Sequence, residues 1–299
     1  MKQLTVISGK GGTGKTSVVA SLAFLADQVV LADCDVDAAD LHLVLPPTPL
    51  SSHPFSGGKQ AFIETAKCQL CGTCQKLCRF EAVRGPDTQS GSPESGYSID
   101  STACEGCGVC AHFCPAEAIR FTDAQNGEWY ISDTRVGPMI HARLGIAEEN
   151  SGKLVSLVRE EARKLAKKQQ RSTIIIDGSP GIGCPVMASI TGTDLALLVT
   201  EPTMSGLHDL QRVADLTAHF HIPTIIAINK WDINPEVTAQ IKETAKQRKI
   251  PVGGLIRYDR SVTAAQISRK TIVELDHAPA AADLRQLWDT VAKALFAEA

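Results

Sequence analysis

Gly9-Lys10-Gly11-Gly12-Thr13-Gly14-Lys15-Thr16 stands between a short apolar run, Leu4 to Ser8, and a stretch without internal Gly or Pro, Lys15 to Leu25. A strand that stops at a glycine-rich loop opening a helix fixes the first two elements, and the spacing fits G-x-x-x-x-G-K-[ST]. Glycines let backbone N–H groups turn toward phosphate oxygens, and the helix N-terminus adds partial positive charge. Gly9 through Ser17 is therefore the candidate nucleotide-binding segment, with Lys15 contacting the β- and γ-phosphates and the Thr16 hydroxyl on Mg²⁺. The same glycines also match G-x-G-x-x-G followed by the acidic Asp33, the pattern of a dinucleotide-binding turn. That alternative leaves Lys15-Thr16 unused. It also leaves unused Asp177-Gly178-Ser179-Pro180-Gly181, an acid at the end of an apolar strand followed by a tight turn, which suits a carboxylate for Mg²⁺ and a loop that senses the γ-phosphate.

Strand and helix patterns then alternate, which predicts an α/β fold with a mostly parallel, doubly wound sheet. Val29 to Ala32, Thr173 to Asp177, Asp194 to Thr200, Thr224 to Asn229 and Val252 to Ile256 read as strands. Helices are expected at Gly152 to Gln170, Gly206 to Phe220 and Pro235 to Gln247. Pro46, Pro47, Pro49 and Pro54 break any regular element, and Ser56-Gly57-Gly58 marks a boundary. The expected domains are 1–55 and 129–299 for the two parts of the α/β host and 56–128 for a small α+β insert. The final helix, Ala280 to Ala297, carries Leu284, Leu287, Trp288, Val291 and Leu295 on one face. Its charges are not arranged as a basic membrane-binding flank, so core packing is the expectation.

Eight of the ten cysteines lie in the insert. Cys68, Cys71, Cys74 and Cys78 follow C-x2-C-x2-C-x3-C, and Cys104, Cys107, Cys110 and Cys114 repeat it, with Pro115 after the second run. This is the bacterial ferredoxin arrangement for two [4Fe-4S] clusters, in which the fourth cysteine of each run serves the other cluster. Cys68, Cys71, Cys74 and Cys114 are thus expected to hold one cluster, and Cys104, Cys107, Cys110 and Cys78 the other. Arg79 stands where Pro is usual in the first run. Zinc would favour two separated C-x2-C pairs instead.

The loop with its extra Lys10, the Asp33-Cys34-Asp35 run after the second strand, and the Asp177 turn together resemble the deviant Walker A ATPases. That group includes MinD and ParA positioning proteins, Mrp-type iron-sulfur carriers and the nitrogenase iron protein, and the likeness spans nearly all the chain outside the insert. It implies that Lys10 reaches across a dimer to the partner's nucleotide, that Asp35 orients the attacking water, and that Asn229 contacts the base. Asn229-Lys230-Trp231-Asp232 also fits the N-K-x-D of GTPases, so Asp232 joins the candidate nucleotide residues and GTP stays open. With the cysteine runs included, the chain looks like MinD-superfamily proteins with an inserted ferredoxin domain. Glu149-Asn150-Ser151-Gly152-Lys153-Leu154 and Glu201-Pro202-Thr203 share in this resemblance without an assignable chemistry.

Two cysteines are left. Cys34 between its two aspartates reads as a small buried residue. Cys184 follows the Asp177 turn at a spacing similar to one cluster cysteine of the nitrogenase iron protein, so it is either structural or part of an interface metal site. The insert, with six Lys/Arg against nine Asp/Glu from Ser56 to Glu128, is mildly acidic; nucleic-acid binding is not expected. No apolar run reaches the roughly 18 residues of a membrane span, and the opening residues lack a signal-peptide pattern, so a cytoplasmic location is expected. The combined reading is an ATP- and Mg²⁺-dependent homodimer, or heterodimer with a paralogue. ATP gates electron transfer through the clusters to a redox client; the alternatives are a metal-cofactor carrier and a redox-sensing positioning ATPase.

Overall fold

The computed structural model describes residues 1–86, 96–145, 151–275 and 277–297. In chain order the first elements are β1 (Lys2–Ser8), α1 (Lys15–Leu25), β2 (Val29–Asp33), α2 (Leu41–Val44) and β3 (Thr48–Phe55). The cysteine-bearing stretch adds β4 (Gly58–Ile63), α3 (Thr73–Leu77), β5 (Val83–Arg84), β6 (Ser98–Ile99), α4 (Val109–His112) and β7 (Ile119–Ala124). Then come β8 (Gly127–Thr134), β9 (Gly137–Leu144), α5 (Ser151–Lys168), β10 (Thr173–Pro180), α6 (Cys184–Ile190), β11 (Leu195–Thr200) and α7 (Met204–His219). The chain ends with β12 (Thr224–Asn229), α8 (Pro235–Gln247), β13 (Val252–Ile256), α9 (Ser261–Ile267), a 3₁₀ turn at Ile272–Glu274 and α10 (Pro279–Phe296).

Two compact units result, one made of Met1–His53, Trp129–Arg143 and Ser151–Ala299, the other of Pro54–Glu128 with Leu144–Asn150. In the first, nine strands form one sheet in the order β13-β12-β11-β1-β10-β2-β9-β8-β3. The six pairings from β13 to β9 are parallel. Strands buried on both faces read as unbroken apolar runs, and Thr173 to Asp177 and Leu195 to Thr200 are buried throughout. Apolar side chains of α1 and α10 cover one face, with Leu284, Leu287, Val291 and Leu295 of α10 all in that core. Those of α6, α7 and α8 cover the other. Among the described residues no helix is long and apolar enough to cross a membrane.

The proline-rich stretch departs from expectation. Pro49 and Pro54 lie inside a strand, β3, where no regular element was expected. β3 ends the sheet order, and an edge strand tolerates residues that cannot donate to a ladder. Strands β8 and β9 were likewise not expected; with β3 they extend the sheet beyond β2.

The second unit repeats its own backbone. Leu70 and Gly106 have φ of 56° and 59°, Gly72 and Gly108 of 73° and 75°, and Glu81 and Glu117 of 52° and 48°, each pair at corresponding places in the two cysteine runs. The repeats are tied by β4 against β7 along the whole of β4 and by β5 against β6, both antiparallel.

Candidate functional site

The glycine loop leaves the C-terminal end of β1, the middle strand of the parallel set, and feeds α1. Gly14, the N-cap of α1, has φ of 87°, and a Cβ there would fall 2.4 Å from Asn229 Nδ2. Only glycine meets both demands. Asn229 Nδ2 donates to Thr13 O at 2.8 Å, bracing the loop from behind.

A cavity of about 680 Å³ opens over this loop, lined by Gly11 through Ser17, Asp35, Asp40 and Pro180 on one side and by α9 on the other. At its floor Lys15 is almost fully buried. Its Nζ is 2.5 Å from Asp177 Oδ1 and 3.2 Å from Asp35 Oδ2. Burial alone pulls the Lys15 ammonium toward losing its proton, but Asp177 and Asp35 outweigh that and hold its pKa above the ordinary lysine value. The Asp35 carboxyl is raised as well: burial pushes it up, and Lys15 offsets only part of this. The main chain fixes the acids, since Asp35 N–H donates to Asp33 Oδ1 at 3.2 Å, Cys34 N–H to Asp177 O at 2.8 Å, and Ser179 Oγ to Cys34 O at 2.7 Å. Cys34 itself is fully buried, and burial pushes its thiol pKa up, which makes it inert.

Asp177 Oδ2 is buried without a hydrogen-bond partner, as is Thr13 Oγ1. A buried carboxylate oxygen left unpaired costs about 1–3 kcal/mol unless something binds it. An unpaired carboxylate oxygen beside Lys15 suits a hard divalent cation, so Asp177 and the Thr16 hydroxyl are donors of the type Mg²⁺ takes.

Other sequence candidates lie elsewhere. Lys10 does not line the cavity; its Nζ is 2.8 Å from Glu201 Oε1. Nor do Asn229 and Asp232 line it; Asp232 Oδ1 accepts from Tyr258 N–H at 2.7 Å. Cys184 is exposed at the start of α6. Of the Glu149 to Leu154 run, Glu149 and Asn150 lie outside the described residues. The cavity wall also includes Leu43, Val44, Gln266, Ile267 and Arg269, residues with no local motif to announce them. Gln266 Nε2 donates to Ser17 Oγ at 2.9 Å and ties α9 to the first turn of α1.

In the second unit all eight cysteines are free thiols. Cys68, Cys71, Cys74 and Cys114 line one small hollow, and Cys78, Cys104, Cys107 and Cys110 line another, each of about 20 Å³. Among the described residues no three His, Cys, Asp or Glu side chains converge as they would around a single metal ion. Four thiols around each hollow are donors of the type a four-iron cluster takes. Tyr97, which no motif singled out, lines the first hollow, and Ala118 N–H donates to Cys114 Sγ at 3.3 Å.

A family model described as the CobQ/CobB/MinD/ParA nucleotide binding domain matches residues 4–272. The uncharacterized protein MJ0578 of Methanocaldococcus jannaschii is 34% identical over 245 residues, covering 78% of this chain and 79% of the relative. In three dimensions the chain resembles the cell division ATPase MinD of Pyrococcus furiosus, with a TM-score of 0.55 at 17% identity and 98% of each chain covered. It also resembles the septum site-determining protein MinD of Pyrococcus horikoshii, solved with Mg-ADP, with a TM-score of 0.56 at 16% identity over 98% and 96% of the two chains. At these identities the structural likeness speaks to the fold.

Proposed function

Because this chain belongs to the CobQ/CobB/MinD/ParA nucleotide-binding family, we propose that it binds and hydrolyses ATP with Mg²⁺ in a nucleotide-dependent dimer, and that hydrolysis gates electron transfer through two [4Fe-4S] clusters to a partner protein. One observation carries this reading: a chain of a nucleotide-binding family also gathers eight free cysteines, four around each of two hollows.

The nucleotide chemistry follows from the first unit. Lys15 is charged and buried, and on binding nucleotide it would exchange its carboxylate partners for the β- and γ-phosphates. Thr16 and Asp177 would hold Mg²⁺, which supplies charge neutralisation at the phosphates. As Lys15 turns toward phosphate, Asp35 is left without its counter-ion in a buried place, where burial raises its proton affinity. A carboxylate so placed can accept a hydrogen bond from the attacking water and orient it. Lys10, outside its own cavity and paired with Glu201, would serve a nucleotide held by a second copy.

The cysteines of the second unit would hold the clusters, Cys68, Cys71, Cys74 and Cys114 one and Cys78, Cys104, Cys107 and Cys110 the other; when bound, the clusters supply one-electron transfer. The exposure of Cys184 supports a second reading, in which the chain hands a metal cofactor to a client through that thiol.

Anaerobically purified protein should contain about eight iron atoms per chain and give cluster signals in electron paramagnetic resonance on reduction. Cys114→Ser should remove the cluster shared with Cys68, Cys71 and Cys74 and leave about four iron atoms. Stoichiometric zinc in place of iron would overturn the electron-transfer reading. Cys184→Ser should spare ATP-dependent electron transfer; if instead it blocked transfer of metal to a client, the second reading would prevail.

A further inference from the structure

Lys10 belongs to the phosphate loop by sequence but is held away from its cavity. Its Nζ lies 2.8 Å from Glu201 Oε1 and donates to Thr203 Oγ1 at 3.2 Å and Ser205 Oγ at 3.0 Å. These three acceptors sit where β11 ends and α7 begins, Thr203 being the N-cap of α7. The backbone around Lys10 is fixed. A Cβ on Gly9 would come within 2.4 Å of Asp209 Cβ on α7, and Ser8 Oγ donates to Lys10 O at 2.8 Å. Any relocation of the ammonium is therefore a matter of side-chain torsions, which exposed lysines make in nanoseconds.

Glu201 binds a second lysine as well: Lys230 Nζ is 3.3 Å from Oε2. Burial alone would raise the Glu201 carboxyl, but Lys10 and Lys230 outweigh it and keep it below the ordinary value. When Lys10 departs, Lys230 stays, so the partly buried carboxylate is never orphaned. That removes the main penalty for breaking such a pair. Side-chain exposures of 29% for Lys10 and 17% for Glu201 leave both groups in partial contact with solvent, and an ion pair screened in this way shifts an equilibrium by roughly twofold to fivefold. A contact of that strength biases the lysine without trapping it.

We propose that Glu201, with Thr203 and Ser205, is a positioning residue that stores Lys10 in the free chain and releases it to the phosphates of a nucleotide on a second copy, Lys230 then neutralising the carboxylate. This assigns a role to Glu201-Pro202-Thr203, and it rests on the nucleotide-dependent dimer proposed above. Only the partners of the Lys10 side chain change.

The test is NMR of the full chain carrying ¹³Cε-labelled lysine, with and without Mg²⁺ and the non-hydrolysable analogue AMP-PNP, the Lys10 and Lys15 signals being assigned by their loss in Lys10→Arg and Lys15→Arg. Lys10 should shift when the analogue is added, and in Glu201→Gln its signal should be displaced before any nucleotide is present. A Lys10 signal that ignores the analogue while Lys15 responds overturns the storage role. A Lys15 signal that is also silent sinks the nucleotide reading, and the storage role with it. By light scattering, Glu201→Gln should dimerise at a roughly twofold to fivefold lower analogue concentration, and the gain should vanish in a Lys10→Ala background. A gain that persists without Lys10, or no gain at all, overturns the proposal.

Discussion

Asp33, the last residue of β2, and Asp177, within the adjacent parallel strand β10, face each other in register, 2% and 1% exposed. Burial raises the Asp33 carboxyl well above its ordinary value, and the charge of Asp177 raises it further, with Lys15 acting the other way. A carboxyl whose folded pKa lies above its unfolded one keeps its proton longer in the folded chain. Its contribution to stability therefore falls as pH climbs from the unfolded pKa through the folded one. Removing the charge should relieve this. Asp33→Asn is expected to raise the melting temperature of the nucleotide-free chain at pH 7.5 by about 2 °C or more, with a smaller gain at pH 5. Calorimetry at the two pH values checks this; equal gains would detach the effect from titration.

Lys15 should be needed for the fold as well as for the nucleotide. Lys15→Ala removes the cation that Asp177 and Asp35 share and leaves buried carboxylates unpaired, a change that costs about 3–5 kcal/mol. ATP binding by calorimetry should disappear, and the melting temperature should drop at neutral pH and partly recover on acidification. Normal ATP affinity in this variant would remove Lys15 from the site.

Asp35→Asn separates binding from hydrolysis. The substitution keeps size and hydrogen-bonding capacity but loses the charge that orients water, so turnover should fall about 10²–10⁴-fold while ATP still binds. Light scattering should then show an ATP-dependent dimer that persists for hours. Hydrolysis at the wild-type rate would assign the water to another group.

Asn229 is predicted to act through the loop rather than at the cavity surface. Asn229→Ala deletes the bond to Thr13 O, worth about 0.5–1.5 kcal/mol. The dissociation constants for ATP and for inorganic tripolyphosphate should rise together, by roughly threefold to tenfold. If only ATP weakened, the side chain would be reading the base.

Much of the α/β core was legible because its signals are local. The loop from Gly9 to Thr16 needs only adjacent residues to declare a strand, a turn and a helix. The buried strands at Thr173 and Leu195 show as apolar runs because both of their faces are covered. Strands β3, β8 and β9 were not legible: Pro49 and Pro54 signal interruption locally, and only the place of β3 at the sheet edge makes them admissible. The two cysteine runs fix the cysteine spacing within each run.

What the sequence by itself determined is the inventory: a phosphate loop, two aspartate-bearing strand ends and two four-cysteine runs, each encoded over a few consecutive residues. Tertiary structure decided which of these meet. It brought Asp177 to Lys15 through the pairing of β1 with β10, brought Gln266 and Ile267 to the far wall of the cavity, and turned Lys10 out toward Glu201. Those placements depend on contacts between residues more than a hundred positions apart, and such contacts are set by sheet order and packing, which leave no mark on local spacing.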